Sequence, residues 1–449
     1  TPRVCGICGT AHLYAATLAL EQIAHITPPA HAVQVRNLCL MAETLQSDLR
    51  QSFLFFTPDF CNAIYAAHPL AAELRDAFTP LKGSVVRGTL KATRDVLGIV
   101  ALFGGQWPHS TYMLPGGISQ PANSRRILDS RGILAAVRAW FEQAVIGGRL
   151  EEWMALDSAD ALFRWQAAAA GRERSALGLF NRFSRDIGLH RLGRGTGHLL
   201  SYGVNPQPLS EARELPAGFF NADTQQIETL DQSQINEHVR HSWFLDYPGG
   251  RHPWEGETIP DHQPGSDRYT WAKAPRYGDK VVQTGPLAEL RIAGEPLISD
   301  LLAREGDNTW LRQFARLRRA GWLIGAMSET LQAIKASMDQ PHYIDPGIDI
   351  WPDGESYGLV EAARGGLGHW LRIRNGVIDK YQIVTPTAWN ASPRDSAGRH
   401  GHWEQSIIGL PVPDPANPVD IGHIVRSHDP CLVCTVHFIG SQRKTHFNV

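Results

Sequence analysis

The chain has 449 residues, 43% of them hydrophobic and 20% charged, with a formal net charge of −2 at pH 7. That balance supports a sizeable core and excludes the basic footprint of a nucleic-acid or anionic-membrane binder. Six cysteines in this length exclude a disulfide framework, and no apolar run approaches the roughly 18–20 residues of a membrane span.

Helical patterns open the chain. Leu13, Ala16, Leu20 and Ile23 recur at a 3.6-residue period and stop at Thr27-Pro28-Pro29. A second periodic run covers Val33 to Phe56 and ends at Thr57-Pro58-Asp59; a third covers about Ser130 to Leu156. Proline- and glycine-rich stretches at 205–215 and 247–276 read as loops with short strands. From Thr309 to Asp339 an apolar stripe of Trp310, Phe314, Leu317, Gly321, Ile324, Leu331 and Ile334 opposes Arg312, Arg316, Arg319 and Lys335, and Pro341 closes the helix. Trp370 to Arg374 and Val377 to Val384 flank Asn375-Gly376, a strong hairpin signal. With no repeat, low-complexity tract or linker, residues 1–449 read as one interlocked unit. Its class is α+β, predominantly helical, with a central helical bundle and small peripheral sheets.

Two cysteine pairs carry the chemistry: Cys5-Gly6-Ile7-Cys8 followed by His12, and Cys431-Leu432-Val433-Cys434 followed by His437. Only the fold can bring these four soft thiolates to one point, and such a set suits zinc, iron or nickel rather than magnesium or calcium. A closed zinc site of four cysteines is the plainest alternative. Against it stand the wide separation of the pairs and the histidine beside each one. A thioredoxin-like redox pair lacks its preceding strand, and a c-type haem site lacks a histidine directly after the second cysteine. Cys39 and Cys61 lie in apolar contexts and read as small buried hydrophobes.

The two motifs, R-x-C-G-x-C-x-x-x-H from Arg3 and D-P-C-x-x-C-x-x-H from Asp429, resemble those of the large subunit of nickel–iron hydrogenases. The segments His252 to Thr258, Trp271 to Tyr277, Gly285 to Ala288, Ala363 to Trp370 and Pro386 to Asp395 resemble further blocks of that family in the same order. The resemblance implies the family's large-subunit fold and the reversible cleavage of H2 to protons and electrons, mainly in the uptake direction; a hydrogen sensor of low turnover is the alternative. It implies nickel on Cys5, Cys8, Cys431 and Cys434, with Cys8 and Cys434 bridging to an iron that carries carbon monoxide and two cyanides. Arg364 would lie over the open metal site and Thr387 would donate to a cyanide. Asp429 either orients Arg364 or caps the Asp-Pro turn. Candidate proton acceptors are Cys431, Cys434 and Arg364, although an arginine is ordinarily always charged. His12 would be a ligand or a donor to a bridging sulfur, and His437 a ligand of a buried magnesium.

Only Cys39 and Cys61 remain, too few for an iron–sulfur cluster, so the resemblance implies an iron–sulfur small subunit as partner and allows a higher oligomer of such heterodimers. Departures from the family place the chain nearer a cytosolic uptake or hydrogen-sensing branch, and therefore in the cytoplasm. The stretch Gln46-Ser47-Asp48 replaces a common His-Asp-His, Gln283 a common glutamate and Glu289 a common arginine. Ile7 and Phe55 fall where relatives line a gas channel; plain core packing is the alternative. The family's segment before its first cysteine motif, with a proton-relaying glutamate, is missing from Thr1 to Arg3, so the chain reads as a fragment. Residues 438–449 read as a tail that a protease removes in many relatives and that sensor types retain.

Overall fold

The computed structural model describes residues 1–210 and 212–431, together with the backbone of two strands, Thr435–Ile439 and Lys444–Asn448. The elements that position the site are α1 (Gly9–Ile23), α2 (Ala30–Arg50), α3 (Ser84–Gly104), α4 (Ser124–Trp140), β1 (Leu199–Ser201), α5 (Pro286–Ile292), α6 (Thr309–Ala336), β2 (Gly354–Ala362), β3 (Gly365–Arg374), β4 (Val377–Val384) and α7 (Pro386–Asn390). Helices α2 and α6 pack together, α3 and α5 close on them, and α4 bridges α3 and α6. The result is the expected helical bundle with small sheets around it.

Local chemistry explains most boundaries. Asn308 caps α6 by accepting from the Leu311 N–H at 2.8 Å. The second periodic run forms as expected, but its last turn, Gln51–Phe56, widens to a π-helix. The third is broken: α4 passes through another π-turn, and Gly147, at φ +67°, turns the chain before a short helix at Leu150–Met154. The hairpin forms between β3 and β4, with Asn375 and Gly376 both at positive φ, as its tight turn requires.

The longest helix departs from its expected face pattern. Arg312, Arg316 and Arg319 were the polar side of an amphipathic stripe, yet all three are buried, and only Lys335 is exposed. Long-range carboxylates reach them inside the bundle, so helix periodicity counted inward charges as outward ones. Helix α1 lies instead against the three-stranded antiparallel sheet β2–β3–β4. A Cβ on Gly358 would sit 1.9 Å from the Ala15 carbonyl oxygen, so only glycine allows that approach. Cys39 is fully buried, but Cys61 is only half-buried, with its sulfur donating to the Leu74 carbonyl at 3.6 Å.

Candidate metal centre

The front wall of the site is the turn into α1. The backbone N–H groups of Ile7 and Cys8 each donate to the Cys5 sulfur at 3.3 Å. Cys8 is the N-cap of α1, where unpaired amides favour negative charge. Glu43 of α2 reaches those amides, accepting from the Thr10 and Ala11 N–H groups at 3.1 and 3.2 Å and from the Trp107 indole at 3.0 Å. Burial still outweighs these donors and pushes the Glu43 carboxyl up to about 7.

Cys431, from the far end of the chain, meets this turn. Hydrogen bonds from the Cys431 and then the Cys8 thiol pull Cys5 far below the ordinary thiol range, while Cys8, bonded to Cys5 and buried, is pushed far above it. Three sulfurs from distant parts of the sequence therefore sit within hydrogen-bonding reach of one another. The described residues alone do not close a cage of metal ligands; Cys434 and the side chain of His437 lie outside them.

The back wall is ionic. Arg364 occupies the turn between β2 and β3, and Gly365 behind it is at φ +128°. A Cβ there would lie 2.4 Å from the Thr284 hydroxyl, so glycine lets the turn press against its neighbour. The Arg364 Nε lies 3.2 Å from Asp429 Oδ1, both residues being buried. The two form an ion pair, with Asp429 itself in a left-handed conformation at φ +56°. Burial opposes the Arg364 charge, but Asp429, Cys8, Cys431 and Cys5 outweigh it and raise its pKa.

Between the walls lies a cavity of about 230 Å³. Cys5, Cys8, Cys431, His12, Arg364 and Thr387 all line it. Ile7 lines it too, whereas Phe55 does not and is 38% exposed, which fits neither a channel wall at this cavity nor core packing. His12 does more than face the sulfurs. Its Nδ1 is 2.9 Å from His369 Nε2, and His369 Nδ1 is 2.7 Å from the Tyr381 hydroxyl. Burial lowers His12 to about 4 and His369 further, so both rings are neutral and each carries a single N–H.

No role for Glu43, His369 or Tyr381 was legible in the motifs. Glu43 carried a signal: it is a lone carboxylate in the apolar run Leu38 to Leu45, and a buried carboxylate must find donors. Asp48 and Glu289 stood out as departures, and both proved to hold Arg319, Asp48 at 2.6 Å and Glu289 at 2.5 Å. Gln283 is buried, its side-chain oxygen 3.5 Å from Arg312.

Comparison with known proteins adds to this geometry. The family described as nickel-dependent hydrogenase matches residues 1–80 and 182–437. The chain is 29% identical to the periplasmic [NiFeSe] hydrogenase large subunit of Desulfomicrobium baculatum, over 98% of this chain and 85% of that protein. It is 27% identical to the uptake hydrogenase large subunit of Rhizobium leguminosarum bv. viciae, over 97% and 86%. The solved structure of the H2-activated [NiFeSe] hydrogenase of Dm. baculatum superposes with a TM-score of 0.79 at 27% identity, covering 96% of this chain and 87% of that one. These relatives lend no support to a cytosolic or hydrogen-sensing branch, or to a cytoplasmic location. Among the described residues no helix is long and apolar enough to cross a membrane.

Proposed function

Because the chain belongs to the nickel-dependent hydrogenase family, we propose that it is the catalytic large subunit of a nickel–iron hydrogenase working mainly in H2 uptake. One observation carries this reading: Cys5, Cys8 and Cys431 converge from the two ends of the chain on a single cavity beneath a buried arginine–carboxylate pair. Clustered soft sulfurs under a fixed positive charge fit an anionic cluster of thiophilic, redox-active metals.

In this reading Cys5, Cys8, Cys431 and Cys434 would hold nickel together with an iron bearing carbon monoxide and two cyanides, Cys8 and Cys434 serving both metals. When bound, that group supplies the redox and Lewis-acid chemistry for heterolytic H2 cleavage. The chain supplies the surroundings. Arg364 places a permanent charge over the cavity, and Asp429 keeps its guanidinium plane fixed. Thr387 offers a hydroxyl from the first turn of α7. The sulfur of Cys431 or Cys434 would take the proton, since an arginine so stabilised does not give up its own. The His12 ring, tied back by His369, presents its other nitrogen on the cavity side. His437 is assigned to magnesium.

The electrons need a partner, because Cys39 and Cys61 are too few for an iron–sulfur cluster. An iron–sulfur small subunit fits, and the relatives are themselves named large subunits. Residues 1–449 then act as one unit, with 438–449 as a removable tail; the intact mass of the mature subunit tests the tail.

The decisive experiment is an infrared spectrum of the purified complex in the window where metal-bound carbon monoxide and cyanide absorb and protein does not. Sharp bands are expected. A blank window from a fully metallated sample would leave the cysteines to zinc and end the hydrogenase reading. A hydrogen sensor would keep the same residues and bands, so turnover with an artificial electron acceptor separates it from an uptake enzyme.

A further inference from the structure

Behind Arg364 an ionic chain runs through the interior. Asp429 Oδ2 is 4.0 Å from Arg316 Nε, which is 3.8 Å from Asp48 Oδ1. Asp48 grips Arg319 through two contacts of 2.6 and 3.0 Å, and Arg319 reaches Glu289 at 2.5 Å. Glu289 lies within hydrogen-bonding reach of Glu361, which accepts from the Ser201 hydroxyl at 3.1 Å and the Tyr202 N–H at 2.5 Å. Every member is buried, Glu289 and Glu361 to 1% and 3% exposure.

Counting charges exposes an imbalance. Arg364, Arg316 and Arg319 are three guanidiniums, while Asp429, Asp48, Glu289 and Glu361 are four carboxyls. An unpaired anion in such a place is costly, so the fourth carboxyl is neutral unless another cation meets it. Arg213 is another cation that Glu361 acts on electrostatically, but its Nη2 donates to the Leu359 carbonyl at 3.1 Å and it forms no ion pair with Glu361 among the described residues. A hydrogen-bond count agrees. Glu289 Oε2 and Glu361 Oε2 are both buried without a donor. Two carboxylates cannot satisfy each other, but one proton between them satisfies both oxygens. Arg319 marks Glu289 as the anion, which leaves Glu361 as the acid.

The pair also has a route to water. Glu289, Glu361 and Arg319 line a cavity of about 10 Å³, room for one water molecule, together with Thr44 and Asn205. Asn205 is 1% exposed, its Oδ1 has no partner, and its Nδ2 donates at 2.9 Å to Glu214, which is partly exposed.

We propose that Glu361 and Glu289 form a proton-holding site, Glu361 Oε2–H donating to Glu289 Oε2, which exchanges its proton with solvent through the small cavity, Asn205 and Glu214. On uptake, an excess proton that reaches the cavity water as hydronium bonds to the Glu289 carboxylate, leaving water and two neutral acids; on release that O–H bond breaks and the water carries the proton off as hydronium. Each event changes the charge by one at the far end of a chain whose near end is Arg364. The pair thus compensates a proton leaving the metal cavity. The source of that proton rests on the hydrogenase reading; the shared proton does not.

The test is infrared spectroscopy of the holo complex in the carbonyl-stretch region of protonated carboxylic acids, in H2O and D2O. At about pH 9, where Glu43, raised only to about 7, is ionised, one deuterium-sensitive acid band is expected in the wild type. Both Glu289→Gln and Glu361→Gln should abolish that same band, because either change leaves three carboxyls for three guanidiniums. Asn205→Ala should keep the band and slow its deuterium shift severalfold. A band surviving both glutamine variants, or lost only in Glu361→Gln, would overturn the shared proton. An unchanged exchange rate in Asn205→Ala would overturn the route. Metal-bound carbon monoxide and cyanide bands in the same spectra report the hydrogenase reading separately.

Discussion

The two walls of the metal cavity are built on different principles. The front wall, Cys5 to His12, is local: amides at a helix start aim at sulfur within a few residues, and one carboxylate from α2 braces the turn. The back wall is long-range: Arg364 is fixed by Asp429, and behind them Arg316 and Arg319 lean on Asp48 and Glu289. A backbone-built wall tolerates change gradually. A wall of buried ion pairs fails sharply, because removing one partner strands the other.

Three substitutions put that contrast to the test. Arg319→Ala should do most damage, stranding Asp48 and Glu289 at a cost of about 3–5 kcal/mol in unfolding free energy; a urea midpoint close to wild type would show that water or a neighbouring cation takes over. Asp429→Asn should lower H2 oxidation by about 10–100-fold while the infrared bands of the loaded site persist, since it loosens the carboxylate paired with Arg364. Full activity in that variant would mean Arg364 is held without Asp429. Glu43→Gln, on the front wall, should act least and through pH. The Glu43 carboxyl rises from 4.5 to about 7 on folding, so the native state binds that proton more tightly than the unfolded one. Its contribution is therefore full below about pH 4.5 and lost as pH rises through about 7. The variant should gain on wild type between about pH 5 and pH 8, by up to about 3 kcal/mol. Parallel stability curves would sink the idea of a titrating brace.

The same contrast explains what could be read in advance. The Asn375-Gly376 hairpin and the start of α6 at Thr309 are set by neighbours in sequence, and both formed where expected. Arg316 and Arg319 were misread because helical periodicity cannot tell a solvated guanidinium from one whose carboxylate arrives from another helix. The third periodic run failed where a π-turn and Gly147 interrupt it, a break that apolar spacing does not register. His369 and Tyr381 were hidden for a further reason: strand register across the hairpin alone aligns them behind His12. Departures from a familiar pattern were the better guide, since Asp48 and Glu289 both lead into the ionic chain.

The seam between Cys5–Cys8 and Cys431 also has a consequence in time. At roughly 5–20 residues per second, a ribosome needs on the order of 20–90 s to make the residues separating the two pairs. Through that interval the front sulfurs exist without the thiol that meets them in the finished fold, and the Cys5–Cys8 turn is a nucleophile open to oxidants or to the wrong metal. Assembly of the centre therefore waits until Cys431 has been made, and a cell making this chain in air has to guard Cys5 and Cys8 through that interval.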